Sequence, residues 1–282
     1  MKETGQPNTS IQILGCMLVQ NDDRFVAASL RNALPFCDHF LVMNNQSTDN
    51  TRSNILKVLD ENPDATIELI DLHDVQDSHK LLEPYAGKNW WIFAVDGDEI
   101  YDPKGLVTLR DIILSGKHQN VWQLYGHVLH VTRWSPGKKT VSGHESPPAH
   151  PMTKLYNFSL VESWTGCPQR LHGGKLVLNI SDEPEKSRFV YFHHYGWEES
   201  PFKCLHMVFL KRSSKAPTLF FRSAPIDTIR KKICSQSLLT QLKLKLHRQL
   251  LVFRRKTGKD NAYRRGPVVT YDATAFNVRE YE

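Results

Sequence analysis

The feature that most constrains this chain is the alternation of apolar runs and helix patterns in its first hundred residues. Ile11–Val19 (IQILGCMLV), His39–Met43 (HFLVM), Thr66–Leu72 (TIELIDL) and Trp90–Val95 (WWIFAV) are apolar segments of strand length. After the first, Asp22 or Asp23 can cap a helix carrying Ala27, Ala28, Leu30 and Leu34, which Pro35 ends. After the second, the turn cluster NNQSTDNT (Asn44–Thr51) leads into a helix with Ile55, Leu56 and Leu59 on one face, stopped by Pro63. Strands this apolar, separated by helices, predict an α/β fold. Its central sheet is expected to be Rossmann-like and mostly parallel, flanked by helices on both faces.

Beyond Asp102 the pattern loosens. Leu106–Leu114 reads as a helix with Pro103 in its approach, and Val121–Val131 as a strand. Arg133–Pro151, rich in Pro, Gly, Lys and His, reads as a loop. Short strands are expected at Lys154–Phe158, Lys175–Ile180 and Phe189–Phe192, and helix from Ser200 onward. Leu239, Leu242, Leu246, Leu250 and Phe253 recur at helical spacing among Lys243, Lys245, Arg248, Arg254 and Arg255, the pattern of a basic amphipathic helix. The tail after Gly266 shows little periodicity. These patterns divide the chain into a domain over 1–210, with halves at about 11–102 and 103–210, and a basic helical C-terminal extension over 211–282.

Composition narrows the class. With 282 residues, 40% hydrophobic and 23% charged, the chain can bury a core, which excludes a disordered chain or a rod. It has no apolar run of about 18 residues, and its first residues lack the apolar core of a secretory signal. Five cysteines are scattered without a CxxC pair, which suits a reducing compartment and gives no zinc knuckle. The expectation is a cytoplasmic protein, peripheral to a membrane at most. Charge is unevenly divided: Lys203–Arg265 holds 17 Lys/Arg against two acids, whereas the rest holds 19 bases against 28 acids. That asymmetry points to an anionic partner. The basic stretch has no paired Cys/His reading motif, which disfavours nucleic acid. Its apolar stripe suits an anionic membrane surface, over residues 237–265.

Three segments carry candidate chemistry. In WWIFAVDGDEI a buried strand runs into Asp96, Asp98 and Glu99. Ligands of a parallel sheet gather outside the carboxyl ends of its strands. Acids clustered there repel unless a cation compensates, and a hard divalent ion does so while bridging phosphates. NNQSTDNT follows a strand and can wrap a nucleotide or simply cap a helix. YFHHYGWEES (Tyr191–Ser200) offers His193 and His194, whose imidazoles can complete a metal shell.

The order of apolar strand, N-x-S-T-D-x-T turn, third strand, then W-I-F-x-x-D-x-D-E, with a later His-Tyr pair, resembles a family-2-like glycosyltransferase of GT-A fold. The resemblance spans roughly Ile11–Lys211 and is most specific at Phe40–Thr51 and Trp90–Ile100. It implies that Val19, Gln20, Asn21, Asn44, Asn45, Asp71, Asp96 and Gly97 bind a nucleotide-sugar donor, UDP- or GDP-linked. Asp98 would bind Mn²⁺ or Mg²⁺, joined by Asp96 and by His194 or His193. The activity implied is transfer of a sugar to a hydroxyl acceptor, a glycan or a lipid-linked one, in glycan or surface-polysaccharide synthesis. Asn44 and Asn45 stand where many relatives have Asp, and no Glu-Asp motif marks a catalytic base. Asp96 approaches the sugar under this reading. Glu145 (GHESPP) and Glu162 (VESWTG) are the candidate bases, each equally readable as a surface acid. Trp134, Trp164 and Trp197 could stack on sugars or fill the core. Competing readings are a nucleotidyltransferase on a similar scaffold, which lacks support from a Gly-rich phosphate loop, a degenerate transferase serving as scaffold, and a basic nucleic-acid-binding protein.

Overall fold

The computed structural model describes residues 10–181, 183–215 and 258–278. Its first half follows the alternation in the sequence. Strands β1 (Gln12–Val19), β2 (His39–Asn44), β3 (Ile67–Asp71) and β4 (Trp90–Asp96) lie parallel in the order β3-β2-β1-β4. Helices α1 (Val26–Ala33) and α2 (Thr51–Glu61) form the first two crossovers. Successive residues of a strand face opposite sides, and here both sides are buried. Ile13, Met17, Trp91, Phe93 and Val95 enter one core with Val26, Leu30, Ile55 and Val58 of the helices. Leu14, Cys16, Ile92 and Ala94 enter a second core with Leu82, Trp164 and Leu171.

After β4 the sheet continues with mixed pairing. A short turn leads to β5 (Glu99–Tyr101), then to α4 (Pro103–Leu114), reached after the single-turn helix α3 (Asp77–Lys80) earlier in the chain. Asp102 caps α4, its carboxylate accepting from the Lys104 amide at 3.0 Å, with Pro103 at the first helical position. β6 (Gln123–Ser135), β7 (Thr140–Ser146) and β8 (Met152–Asn157) extend the sheet antiparallel, β8 pairing with β4. β9 (Val161–Thr165) and β10 (Lys175–Leu178) form a separate hairpin. β11 (Arg188–Val190) and β12 (Lys203–His206) run parallel to β6, and β12 also pairs antiparallel with β5. Helix α5 (Gly258–Tyr263) precedes β13 (Val268–Asp272), which pairs antiparallel with β7.

Three expectations are corrected. Residues 133–151 are mostly strand: the Pro and Gly serve a tight turn at Pro136–Lys138, closed by Lys139 at φ +49°, and β7 leaves it paired to β6 over seven residues. Ser200 onward does not begin a helix. All four residues of β12 are buried between β5 and β6, and a four-residue strand is too short to display a period. The tail after Gly266 supplies β13 to the main sheet, together with Ala273 and Phe276 packed in a third core. The amphipathic pattern at 239–253 lies outside the described residues.

Candidate active site

The parallel strands end at one rim. Gln20, just past β1, donates from Nε2 to the Asn45 carbonyl at 2.9 Å. Asn21, at φ +56°, accepts on Oδ1 from the Thr48 amide at 2.8 Å, and its own amide donates to Ser47 Oγ at 3.1 Å. Asn44 donates from Nδ2 to Asp71 Oδ1 at 2.7 Å, and Arg52 Nε reaches Asp71 Oδ2 at 3.0 Å. The Asn44 hydrogen bond lowers the Asp71 pKa, and with Arg52 it outweighs the opposing effect of burial. The predicted donor-binding residues Val19, Gln20, Asn21, Asn44, Asn45 and Asp71 are therefore gathered by the ends of β1, β2 and β3. Gly97 closes the rim: a Cβ there would stand 2.8 Å from Val19 Cγ1 and 3.1 Å from Asp22 Cβ. Only a residue without a side chain lets the β4–β5 turn lie this close to β1.

The three acids of that turn have separate environments. Asp96 is clamped by two cations. Lys154 Nζ donates to its Oδ2 at 2.6 Å, and the Arg170 guanidinium bonds its Oδ1. Burial opposes ionisation of Asp96, but Lys154 and Arg170 outweigh it and hold the carboxyl well below its usual range. Arg170 also donates to the carbonyls of Val95 at 2.6 Å and Cys16 at 3.4 Å. Its backbone is fixed by α3, with the Arg170 amide donating to Ser78 Oγ at 2.8 Å and His79 Nδ1 2.5 Å from the Arg170 carbonyl. Glu99 is fully buried and accepts from the Asp96 amide and the Tyr101 hydroxyl, each at 3.2 Å, with Lys154 Nζ 3.2 Å from its other oxygen. Burial pushes its pKa up to about 8, despite Lys154.

Asp98 is fully buried and faces different groups. His206 Nε2 lies 3.7 Å and Arg212 Nη1 3.6 Å from its Oδ2, and the same Arg212 nitrogen is 3.1 Å from Asp22 Oδ1. The Met207 amide donates to the Asp98 carbonyl at 2.8 Å, so β12 and the β4–β5 turn are locked in register. From β12 the chain laces back across the rim. The Arg24 amide donates to the Arg212 carbonyl at 3.0 Å, Ser213 Oγ to Asp49 at 2.5 Å, and the Ser214 amide to Asp23 at 2.8 Å.

The structure thus divides the predicted residues. Asp98 has an imidazole beside it, but the imidazole is that of His206. His193 and His194 are exposed on the turn after β11, with His194 stacked on Phe189 and His193 edge-on to Phe192. Asp96 already has two cationic partners, which leaves it a poor ligand for a third cation. Glu145, on β7, accepts from Tyr271 at 2.5 Å and contacts His127 Nδ1 at 3.2 Å. Those hydrogen bonds lower its pKa although burial opposes them. Its register partner is Leu129, so it lies on the face of the sheet opposite to His130 and His206. Glu162 is exposed on the separate β9–β10 hairpin. Trp164 and Trp197 are buried, Trp164 donating to the Gly173 carbonyl at 2.9 Å and Trp197 stacked on Tyr271; Trp134 is half-buried at the end of β6. Lys154, Arg170, His206 and Arg212 were not legible as site residues. His206 interrupts an apolar run (CLHMVFL), which is a signal of sorts; Arg170 sits in an irregular loop and has none.

Among the described residues no three His, Cys, Asp or Glu side chains converge as a metal cage, and no helix is long and apolar enough to cross a membrane. No protein-family model and no curated protein matches the chain. Solved structures match parts of it. A mannosyltransferase from Pyrobaculum calidifontis, in complex with GDP-Man and Mn²⁺, is 17% identical over 46% of this chain and 39% of its own, with a TM-score of 0.32. S. aureus TarS is 14% identical over 53% of this chain and 48% of its own, with a TM-score of 0.34. Glucosyl-3-phosphoglycerate synthase from Mycobacterium tuberculosis, with Mn²⁺, UDP and glucosyl-3-phosphoglycerate, is 14% identical over 40% of this chain and 43% of its own, with a TM-score of 0.28. The chain spans less than half the length of each of these proteins.

Proposed function

We propose that the chain transfers a sugar from a UDP- or GDP-sugar to a hydroxyl acceptor, with a divalent cation held by Asp98 and His206. The observation that carries this reading is the approach of a buried carboxylate and an imidazole nitrogen to 3.7 Å at the rim where the parallel strands end. One carboxylate oxygen and one neutral imidazole nitrogen suit Mn²⁺, and Mg²⁺ less closely. Two protein ligands suffice for an ion that keeps waters and takes substrate phosphate oxygens. The guanidinium of Arg212 lies against both Asp22 and Asp98, so an ion at Asp98 would share that carboxylate with Arg212.

In such a transfer the acceptor oxygen bonds to the anomeric carbon and gives up its proton, the bond from that carbon to the donor phosphate oxygen breaks, and negative charge collects on the departing nucleoside diphosphate, which can take that proton. A bound divalent ion stabilises that charge electrostatically. The residues of this chain do the positioning. Asn44, held with Asp71 and Arg52, and Gln20 and Asn21 shape the bed for base and ribose. Asp96, locked by Lys154 and Arg170, fixes the turn that presents Asp98. Arg212 and Lys215, on the strap across the rim, supply charge near the phosphates. The acceptor is assigned only as a hydroxyl, on a glycan or a lipid-linked carrier. The basic stretch 237–265 suits an anionic surface close to such an acceptor.

Thermal unfolding tests the reading. UDP, GDP and their sugars are added with and without Mn²⁺. A nucleotide that binds the folded state at 100 times its Kd adds roughly 2.7 kcal/mol, which raises Tm by several degrees. One base is expected to give a shift that requires Mn²⁺ and is lost in Asp98→Asn. Shifts absent for every nucleotide, or unaffected by Mn²⁺ and by that substitution, would count against it. A nucleotidyltransferase would release pyrophosphate instead of a nucleoside diphosphate.

A further inference from the structure

β12 and β6 run side by side with His206 opposite His130, and this register brings the two rings together. Their Nδ1 atoms are 3.0 Å apart, and His130 Nε2 is 2.9 Å from the His150 carbonyl. A carbonyl only accepts, so His130 Nε2 carries hydrogen. In a neutral ring His130 Nδ1 is then an acceptor. The one hydrogen between the two Nδ1 atoms therefore belongs to His206, and in the neutral ring that a metal requires the lone pair of His206 is on Nε2, the atom facing Asp98. Both ends of this chain of hydrogen bonds are fixed. The His150 amide donates to the Ala262 carbonyl on α5 at 3.0 Å. Tyr263 of the same helix stacks on His130, with ring centroids 4.5 Å apart and an interplanar angle of 22°, and stands edge-on to His206.

We propose that His130 is a positioning residue, which holds hydrogen on Nδ1 of His206 so that Nε2 is presented to a divalent cation beside Asp98. The inference rests on the cation site proposed above. A histidine that ligates a metal usually donates its other N–H to a carboxylate or a backbone carbonyl, which sets its tautomer and ring orientation. Here the acceptor is a second histidine, itself oriented by a carbonyl and clamped by a helix from the far end of the chain. Alanine or phenylalanine at position 130 leaves the Nδ1–H of His206 buried without an acceptor and favours the tautomer that cannot ligate.

The test is Mn²⁺ titration of the full chain in the presence of UDP or GDP, with free Mn²⁺ followed by electron paramagnetic resonance. Wild type, Asp98→Asn, His130→Phe and His130→Gln are compared. Phenylalanine keeps the stack on Tyr263 but cannot accept; the glutamine amide oxygen can. Mn²⁺ binding is expected to weaken about 10–100-fold in His130→Phe, with much of it recovered in His130→Gln. His130→Phe binding as tightly as wild type, while Asp98→Asn loses the ion, overturns the role of His130 alone. No Mn²⁺ on the wild type, or no effect of Asp98→Asn, overturns the cation site and this inference together. Should His130→Phe fail to fold, ¹⁵N spectra of the histidine rings of the wild type with Mg²⁺ decide the matter. His206 must then show hydrogen on Nδ1 and none on Nε2, and the reverse refutes the proposal.

Discussion

In Asp98→Ala, sugar transfer is expected to fall by roughly 10³-fold or more at saturating donor, the loss of about 4 kcal/mol of charge stabilisation in the transition state. The protein should remain folded. Asp98 is buried with Arg212 and His206, and removing it leaves Arg212 its contact with Asp22 at 3.1 Å. Removing a buried carboxylate also costs some stability, so Tm is expected to fall, and the assignment is read from kcat and its Mn²⁺ dependence in protein that stays folded. Asp96→Asn differs in kind, because Asp96 is spent on Lys154 and Arg170. Steady-state rates for the two variants across Mn²⁺ concentrations separate the roles. Transfer by Asp98→Ala at the wild-type rate would remove the assignment of the reaction to this rim.

The second large effect is on stability. Arg170→Met leaves Asp96 and Glu99 facing one cation, Lys154, instead of two. Breaking a buried ion pair from one side costs about 3–5 kcal/mol, which corresponds to a Tm lower by roughly 10 °C. Changing Asp96 to Asn in the same chain should recover part of that loss, since the uncompensated charge is then gone. The same cluster sets a pH dependence. Glu99 has a folded pKa of about 8, above its ordinary 4.5, so the folded state binds the extra proton. Its contribution is present in full below about pH 4.5 and is lost as pH rises through about 8. Asp96, depressed by its two cations, acts in the opposite sense and loses its contribution as pH falls below the ordinary aspartate range. Urea midpoints measured from acid to mildly alkaline pH should show Glu99→Gln to be flatter than wild type between about pH 4.5 and 8, with the two slopes converging above that. Equal slopes would refute the assignment to Glu99.

What the sequence made legible follows from the physics of each segment. The parallel half was readable because Ile13, Leu14, Cys16 and Met17 are buried on both faces of one strand, and such strands are written as unbroken apolar runs. The placing of Val19, Gln20, Asn44 and Asp71 at one rim followed, because strand ends and the turns after them are fixed once the strands are. The antiparallel half hid its strands in polar sequence. β7 reads TVSGHES, and several of its polar residues are satisfied by neighbours: Glu145 by Tyr271, Ser142 by Thr270 at 2.8 Å and His144 by the Gly266 carbonyl at 3.0 Å. The imidazole at Asp98 was missed for a related reason. His193 and His194 advertise themselves as a pair, whereas His206 acquires its place only through the pairing of β12 with β5 and β6. Nothing local in CPQRLHGG signals that Arg170 reaches Asp96 across 74 positions of sequence.

β13 comes from residues 268–272 and lies against β7, whose other edge is already taken by β6. A growing polypeptide therefore completes its parallel half long before the outermost ladder can close. Until Val268 emerges, β7 presents a bare row of amides and carbonyls, a template for any other extended segment nearby. Chains terminated just before Val268 would keep the parallel strands and their rim and still be prone to stick to one another, so stop codons there should be read out as insolubility before they are read out as inactivity.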